Sequence, residues 1–416
     1  MRSRKPTVRP GGTGDGEGRE PPGRSGPVEL SKRAADIQPF IVMEVLERAL
    51  ELESQGRSVI HLEVGEPDFE TPPAIREAGI RAIREGHTHY THSLGRRELR
   101  EAIAAWYADR SSVEVSPERV VVTVGSSGAM LLVFAALLDP GQEVLVPDPG
   151  YPCYPKFVRA FDGRAVGVRV EESRNFEFDP LEVAGHISDR TRALIVNSPS
   201  NPCGTLASRE NLCRLRDAAG DRLTVVSDEI YHGLTYGERA TSMLEVSHDC
   251  VVIGGFSKLF AMTGWRLGFA VVPDRMVRAL QKLQQNLFIS APDFSQIAAL
   301  AALREAAPDI ERMRVEYDRR RRFLIERAER AGLRVAGHPV GAFYLLLNVS
   351  AFTDNVYELA FEILETVGVA VTPGIDFGRW GEGYIRLCYA TSMEKLEEGM
   401  DRLERFFEER QGRRGN

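Results

Sequence analysis

Apolar positions along the chain follow two different rhythms. Ile41, Val42, Val45, Leu46, Ala49 and Leu50 recur at the spacing of an amphipathic helix, and a short strand is predicted from Val59 to Val64, closed by the turn Gly65-Glu66-Pro67-Asp68. Helices are predicted from Pro73 to Glu85 and from Arg96 to Tyr107. From Arg119 onward, short apolar runs take over: Val120–Val124, Glu143–Val146, Ala165–Val170, Ala193–Asn197, Thr224–Ser227, Val251–Gly254 and Leu267–Val272. Helical patterns at Ala129–Leu138, Tyr154–Phe161 and Arg209–Ala218 lie between them. That alternation predicts βαβ units around a mainly parallel sheet.

Beyond Asp274 the pattern turns helical again, over Asp274–Asn286, Ser295–Ala306 and Asp309–Ala331. It then mixes strands (Leu333–Val335, Ala342–Leu346, Tyr384–Cys388) with helices (Val356–Thr366, Met393–Arg405). The chain is thus predicted to hold a large α/β domain over residues 71–304 and a smaller α+β domain over 305–416, with residues 28–70 contributing to the smaller one. No internal repeat emerges.

Composition narrows the classes. The 416 residues are ample for two domains, and 43% hydrophobic with 27% charged content is ordinary for a globular chain. A net charge of -7 with both signs interspersed offers no broad positive field, so nucleic acid is not an expected partner. No apolar run is long enough to span a bilayer. Five scattered cysteines without metal-ligand spacing predict free thiols and a cytoplasmic setting. Residues 1–27, rich in Gly, Pro and Arg, predict a disordered tail and carry no apolar core of a signal peptide.

In an open α/β sheet, ligands gather beyond the carboxyl ends of the strands. The first strand runs into Gly125-Ser126-Ser127-Gly128-Ala129, small residues at a helix start whose amides suit an anion such as phosphate. The same turn approaches the G-x-S-x-G of a serine hydrolase, with Ser127 as nucleophile and Asp228 and His338 completing the order, although Ala129 breaks the pattern. Later strand ends carry Asn201 ahead of Pro202, then Asp228-Glu229-Ile230-Tyr231, for which a helix cap is the plainer role of Asp228. Next comes Phe256-Ser257-Lys258, followed by Thr263-Gly264-Trp265-Arg266. A lysine beyond a buried strand is partly desolvated, which lowers its pKa and frees the amine to attack a carbonyl.

These segments resemble the class I and II aminotransferases, pyridoxal-phosphate (PLP) enzymes of fold type I in the aspartate aminotransferase superfamily. The resemblance extends from about residue 30 to 405. It rests on Gly65-Glu66-Pro67, Tyr90 before Leu94-Gly95, the Gly125–Ala129 turn, Pro149-Gly150-Tyr151-Pro152 and Asn201-Pro202-Cys203-Gly204-Thr205. Asp228-Glu229-Ile230-Tyr231, Ser257-Lys258 with Trp265-Arg266-Leu267-Gly268, and Arg386-Leu387 complete the order. It implies a large domain with a seven-stranded, mainly parallel sheet. Lys258 would be the Schiff-base lysine and proton shuttle, Asp228 the partner of the pyridine nitrogen, and Asn201 and Tyr231 the partners of the ring oxygen. Tyr151 would stack on the ring, while Ser126, Ser127, Gly128, Ser257 and Arg266 would hold the phosphate. Tyr90 would reach the phosphate of a neighbouring subunit, which implies a homodimer with shared active sites. Arg386, aided by the Gly65 backbone and Asn201, would grip the substrate α-carboxylate.

The implied reaction is ping-pong transfer of an amino group from an α-amino acid to a 2-oxo acid. The same cofactor residues would also serve a lyase, synthase or oxidase. Gly255 stands where the family often has a phosphate-binding serine. The absence of a basic residue at Ser127 and Gly128 weighs against aspartate as substrate. His87, His89 and His92 suggest a positioning loop for Tyr90 rather than a metal site. Arg319 to Arg322 suggest a solvated helix face, and Gly381-Glu382-Gly383 a loop.

Overall fold

β1 (Ile60–His61) is far shorter than the strand expected over Val59–Val64: beyond it, Glu63 and Gly65 present their carbonyls to distant side chains. The computed structural model of the chain describes residues 29–414; the tail expected over residues 1–27 lies outside them. Residues 29–37 carry a short helix, Lys32–Asp36, whose cap Ser31 accepts from the Ala34 amide.

From Gln38 onward the architecture is built on two main sheets. β2 (Val120–Thr123), β3 (Glu143–Asp148), β4 (Arg164–Arg169), β5 (Thr191–Asn197), β6 (Thr224–Asp228), β7 (Val251–Gly255) and β8 (Gly268–Val271) form a seven-stranded sheet in the order β2-β8-β7-β6-β5-β3-β4. Every neighbouring pair is parallel except those of β8, which runs antiparallel to β2 and β7. The central strands read as continuous apolar runs because both faces are covered. In β5, Ala193 and Ile195 join one buried cluster with Met130, Val133 and Leu280, while Leu194 and Val196 join the other with Leu212 and Leu215.

β9 (Arg334–Val335), β10 (Tyr344–Asn348), β11 (Val369–Ala370), β12 (Thr372–Pro373) and β13 (Tyr384–Cys388) follow. β12, β13, β10 and β9 make an antiparallel four-stranded sheet, and β11 pairs in parallel with β1. The N-terminal segment is thereby stitched to the C-terminal region. Sequence pattern missed β11, β12 and the helix Pro180–His186, all too short to establish a period.

Two expectations need correction. The helix after β2 starts at Gly125 rather than Ala129, so the small residues form its first turn and not a loop before it. The run Arg319 to Arg322 is not uniformly solvated: helix Ala307–Arg330 turns Arg320 inward beside Tyr317 and Leu324. There it pairs with Asp68 at 2.8 Å and Glu316 at 3.0 Å.

Candidate active site

The carboxyl ends of β2, β3, β5, β6 and β7 share one edge of the large sheet. Because β8 runs the opposite way, its start brings Arg266 to that edge too. A cavity of about 200 Å³ opens there. Gly65, Ser126, Ser127, Tyr151, Asn201, Asp228, Tyr231, Lys258 and Arg386 all line it. These residues span most of the chain and converge only through the fold.

Lys258 lies beyond β7, and its Nζ donates to the Gly65 carbonyl at 2.6 Å. Desolvation pushes its ammonium down to about 8, well below the usual lysine range. An amine that titrates this close to physiological pH keeps a sizeable neutral fraction there, and that fraction is a competent nucleophile and proton acceptor. Asp228, at the end of β6, is buried. It accepts from Tyr154 Oη at 2.7 Å and from the Ile230 amide at 3.2 Å, yet desolvation still pushes its carboxyl up to about 6. A buried carboxylate partnered only by neutral donors has room for a cationic partner.

Arg266, at φ +54°, lies against the first turn of helix Gly125–Leu137: a Cβ on Gly125 would meet its Nη2 at 2.8 Å. Its guanidinium donates to the Thr263 carbonyl at 2.9 Å. A guanidinium beside the positive end of a helix dipole favours an anion between them. Gly268 permits this closeness, since a Cβ there would meet the Ser126 amide nitrogen at 2.5 Å. Ser126 and Ser127 are half-buried at the cavity wall, whereas Gly128 and Ser257 are buried and do not line it. A side chain at Gly255 would meet Ile230 Cδ1 at 2.8 Å, which is a steric reason for glycine there.

Arg386 is buried on β13, with its guanidinium 4.4 Å from the Tyr344 ring centroid and 4.9 Å from that of Phe377. Its partners are all neutral oxygens: Asn201 Oδ1 at 2.9 Å, Thr372 Oγ1 at 3.1 Å and the Glu63 carbonyl. Its Nε has no partner among the described residues. A buried cation with no counter-charge and an unmet donor is a ready receptor for a carboxylate.

Tyr231 Oη lies 2.8 Å from Tyr344 Oη, and Tyr151 packs edge-on against Tyr154 at 5.3 Å. Burial raises all four phenols well into the neutral state. Tyr154 and Tyr344 were missed from sequence. Tyr154 sits three residues after Tyr151, a spacing that could have flagged it, but Tyr344 lies in an apolar strand with no local signal. Gly65 has to be glycine here, because a Cβ would collide with the Tyr344 hydroxyl.

The remaining candidates fall elsewhere. Tyr90 is 80% exposed and does not line this chain's cavity. His338, the third member of the hydrolase reading, is exposed beside Glu238 at 3.5 Å and is not part of the cavity wall. His87 sits between Arg96 at 3.2 Å and Asp293 at 3.5 Å, and His92 Nδ1 accepts from the Leu94 amide.

Comparison with known proteins agrees with this geometry. Residues 57–403 match the family described as aminotransferase class I and II. The (5-formylfuran-3-yl)methyl phosphate transaminase of Methanocaldococcus jannaschii is 42% identical over 91% of this chain and 99% of its own. The aspartate aminotransferase of Pyrococcus horikoshii is 37% identical over 91% and 97%. The solved structure of Thermus thermophilus aspartate aminotransferase with maleate superposes with a TM-score of 0.87, at 39% identity, over 91% of this chain and 99% of that one.

Proposed function

Because the chain belongs to the class I and II aminotransferases, we propose that this aminotransferase binds pyridoxal phosphate at the cavity beyond β7 and acts on an α-amino acid with an uncharged side chain. Members of the family use pyridoxal phosphate and work in two half-reactions, donor first and 2-oxo acid second. The residues present fit that cofactor. Lys258 would hold it covalently, Arg266 with Ser126, Ser127 and the helix start would take the phosphate, and Asp228 would keep the ring nitrogen protonated. Tyr231 and Asn201 would meet the ring oxygen and Tyr151 a ring face. When bound, it supplies an electron-withdrawing ring and a carbon that accepts the amino group.

The observation that carries the reading is the buried, uncompensated Arg386 facing Lys258 across one cavity. Arg386 binds the substrate carboxylate through its fork, with Nε gaining the partner it lacks. Asn201, already hydrogen-bonded to Arg386, fixes the angle of that fork. Lys258 Nζ, neutral for much of the time near pH 8, takes the proton from the substrate Cα and returns one in the second half-reaction. The buried Tyr154 and Tyr344 would shield that proton from water on their side of the cavity.

Phe40, Val42, Met43, Val64, Met130 and Phe157 supply the apolar wall, and Lys258 and Arg386 are the cations lining the cavity among the described residues. An apolar substrate side chain therefore fits better than a second carboxylate, although the Pyrococcus and Thermus relatives are named for aspartate. The test is a donor panel on holoenzyme. Amino donor alone should bleach the absorbance near ~420 nm and a 2-oxo acid should restore it. Phenylalanine, leucine or methionine should exceed aspartate and glutamate in kcat/KM. Ammonia release without restoration of the band, or preference for aspartate, would contradict the proposal.

A homodimer is part of the same reading. Ile80, Ile83, Trp265 and Phe294 line an open groove of about 470 Å³, and a second copy would cover it. Residues 38–70 with 305–416 would form the smaller domain, as the β1–β11 pairing suggests. The five free cysteines suit a cytoplasmic setting. No helix among the described residues is long and apolar enough to cross a membrane.

A further inference from the structure

Glu63 has a side chain with no exposure at all, yet no Lys or Arg among the described residues pairs with its carboxylate. Oε1 lies 2.7 Å from His61 Nδ1, and Oε2 has no partner among the described residues. His61 is partly exposed, and its Nε2 lies 3.3 Å from Glu53 Oε1 at the surface. A chain of acid, imidazole and acid thus runs from solvent to a buried carboxylate. The main chain of the same Glu63 faces the active site: its carbonyl accepts from Arg386 Nη2 and from Thr372 Oγ1 at 3.0 Å. Two residues on, the Gly65 carbonyl accepts from Lys258.

We infer that Glu63 and His61 form a positioning pair for Arg386, so that a protonated His61 holds the Glu63 carbonyl in place and sets the affinity for the substrate carboxylate. This rests on Arg386 as the carboxylate receptor. The physical reason is that a buried carboxylate is tolerated when a cation compensates it and is costly when none does. With His61 charged, Glu63 is neutralised where it stands. With His61 neutral, one imidazole hydrogen bond remains, but the charge is uncompensated and the other oxygen is unmet. Relief then comes by shifting the Glu63–Gly65 segment, which loosens the carbonyl that Arg386 uses.

The hydrogen bond to Glu63 holds the His61 imidazolium above the ordinary histidine range against the opposing effect of burial, and Glu53 adds to it. Among the described residues, Arg386 and the Cys388 thiol from β13 also face the pair. Cys388 is buried and pushed up to about 11, so it stays neutral in this window. The coupling is therefore intact below the ordinary imidazole range and fades as pH rises through the elevated His61 value.

The experiment uses holoenzyme, with 3-phenylpropanoate as an amine-free carboxylate probe, titrated calorimetrically from pH 6 to 9. Wild type should lose about tenfold in affinity across the upper part of that range. Glu63→Gln, which has no charge to compensate, should bind with the low-pH affinity throughout. His61→Gln, which leaves Glu63 uncompensated at every pH, should bind with the weaker affinity throughout. In both variants KM for the amino donor should follow the probe while kcat and the pH dependence of the ~420 nm band stay as in wild type, separating this effect from titration of Lys258. Should Glu63→Gln fail to fold, the more exposed His61→Gln carries the test alone. A pH limb that persists in either variant overturns the inference and leaves Arg386 as receptor. Absence of probe binding to wild type overturns both.

Discussion

At the scale of single residues, the site is a set of ionisable groups held away from their ordinary values by burial. Asp228 shows the cost. An ordinary aspartate ionises at about 4 and this one at about 6, a gap corresponding to about 3 kcal/mol. Because the folded value is raised, the contribution of Asp228 to the stability of cofactor-free protein is fully present below the ordinary value and is lost as pH rises through 6. Asp228→Asn should therefore raise the Tm of cofactor-free protein at pH 7.5 and leave it little changed at pH 4, while abolishing turnover, as differential scanning fluorimetry and assay would read. Lys258 works in the opposite sense. The rate at which cofactor-free enzyme develops the ~420 nm band with added pyridoxal phosphate should climb as pH rises through about 8, and Lys258→Ala should develop none. Lys258 was legible in the sequence because it follows a buried strand, whereas Asp228 taken alone read as a helix cap and took its role from the family resemblance. Glu63 and Tyr344 were not legible, because their partners come from 323 and 113 residues away along the chain.

At the scale of elements, the strand ends and one helix start do the positioning. Helix Ile41–Ser54 begins at Phe40, which offers no capping side chain, and Asp376 supplies the cap from afar. Its carboxylate accepts from the Ile41 amide at 3.0 Å and the Val42 amide at 3.4 Å. Phe40, Val42 and Met43 line the cavity from this first turn, and Lys156 sits 4.9 Å over the Phe40 ring. Asp376→Ala should cost about 1 kcal/mol in stability. It should also raise KM severalfold with little change in kcat, since the wall facing the substrate loosens while Lys258 and Arg386 stay in place. Steady-state kinetics alongside urea unfolding would check both. An equal fall in kcat would place this turn in the chemistry rather than in binding.

At the scale of the whole molecule, long-range pairings tie the N-terminal segment to the rest: β1 to β11, Asp68 to Arg320, and Thr71 to Trp265. Exposed Ile80 and Ile83 on helix Pro73–Arg84 stand out against that well-buried background. If a second copy covers them, Ile83→Glu should shift sedimentation from dimer toward monomer. It should also lower activity in proportion to the dimer lost, since Tyr90 would reach its place only across the interface. A wild-type protein that sediments as a monomer at assay concentration would contradict the homodimer.

By itself the sequence determined what local physics controls. The apolar runs set the strands of a mainly parallel sheet buried on both faces, and the residues after each run, Gly125, Asn201, Asp228 and Lys258, marked the sheet edge at which the cavity opens. The order of strands was beyond it, because neighbours such as β2 and β8 meet across some 150 residues with no periodic trace. So were the short strands β11 and β12, which exist only because β1 and β13 are beside them. Tertiary structure alone decided that Arg386 is left without a counter-charge, that Arg320 turns inward to Asp68, and that Glu63 faces His61 with its side chain and Arg386 with its carbonyl. Each of these is a matter of which groups burial brings together, and burial is a property of the folded whole.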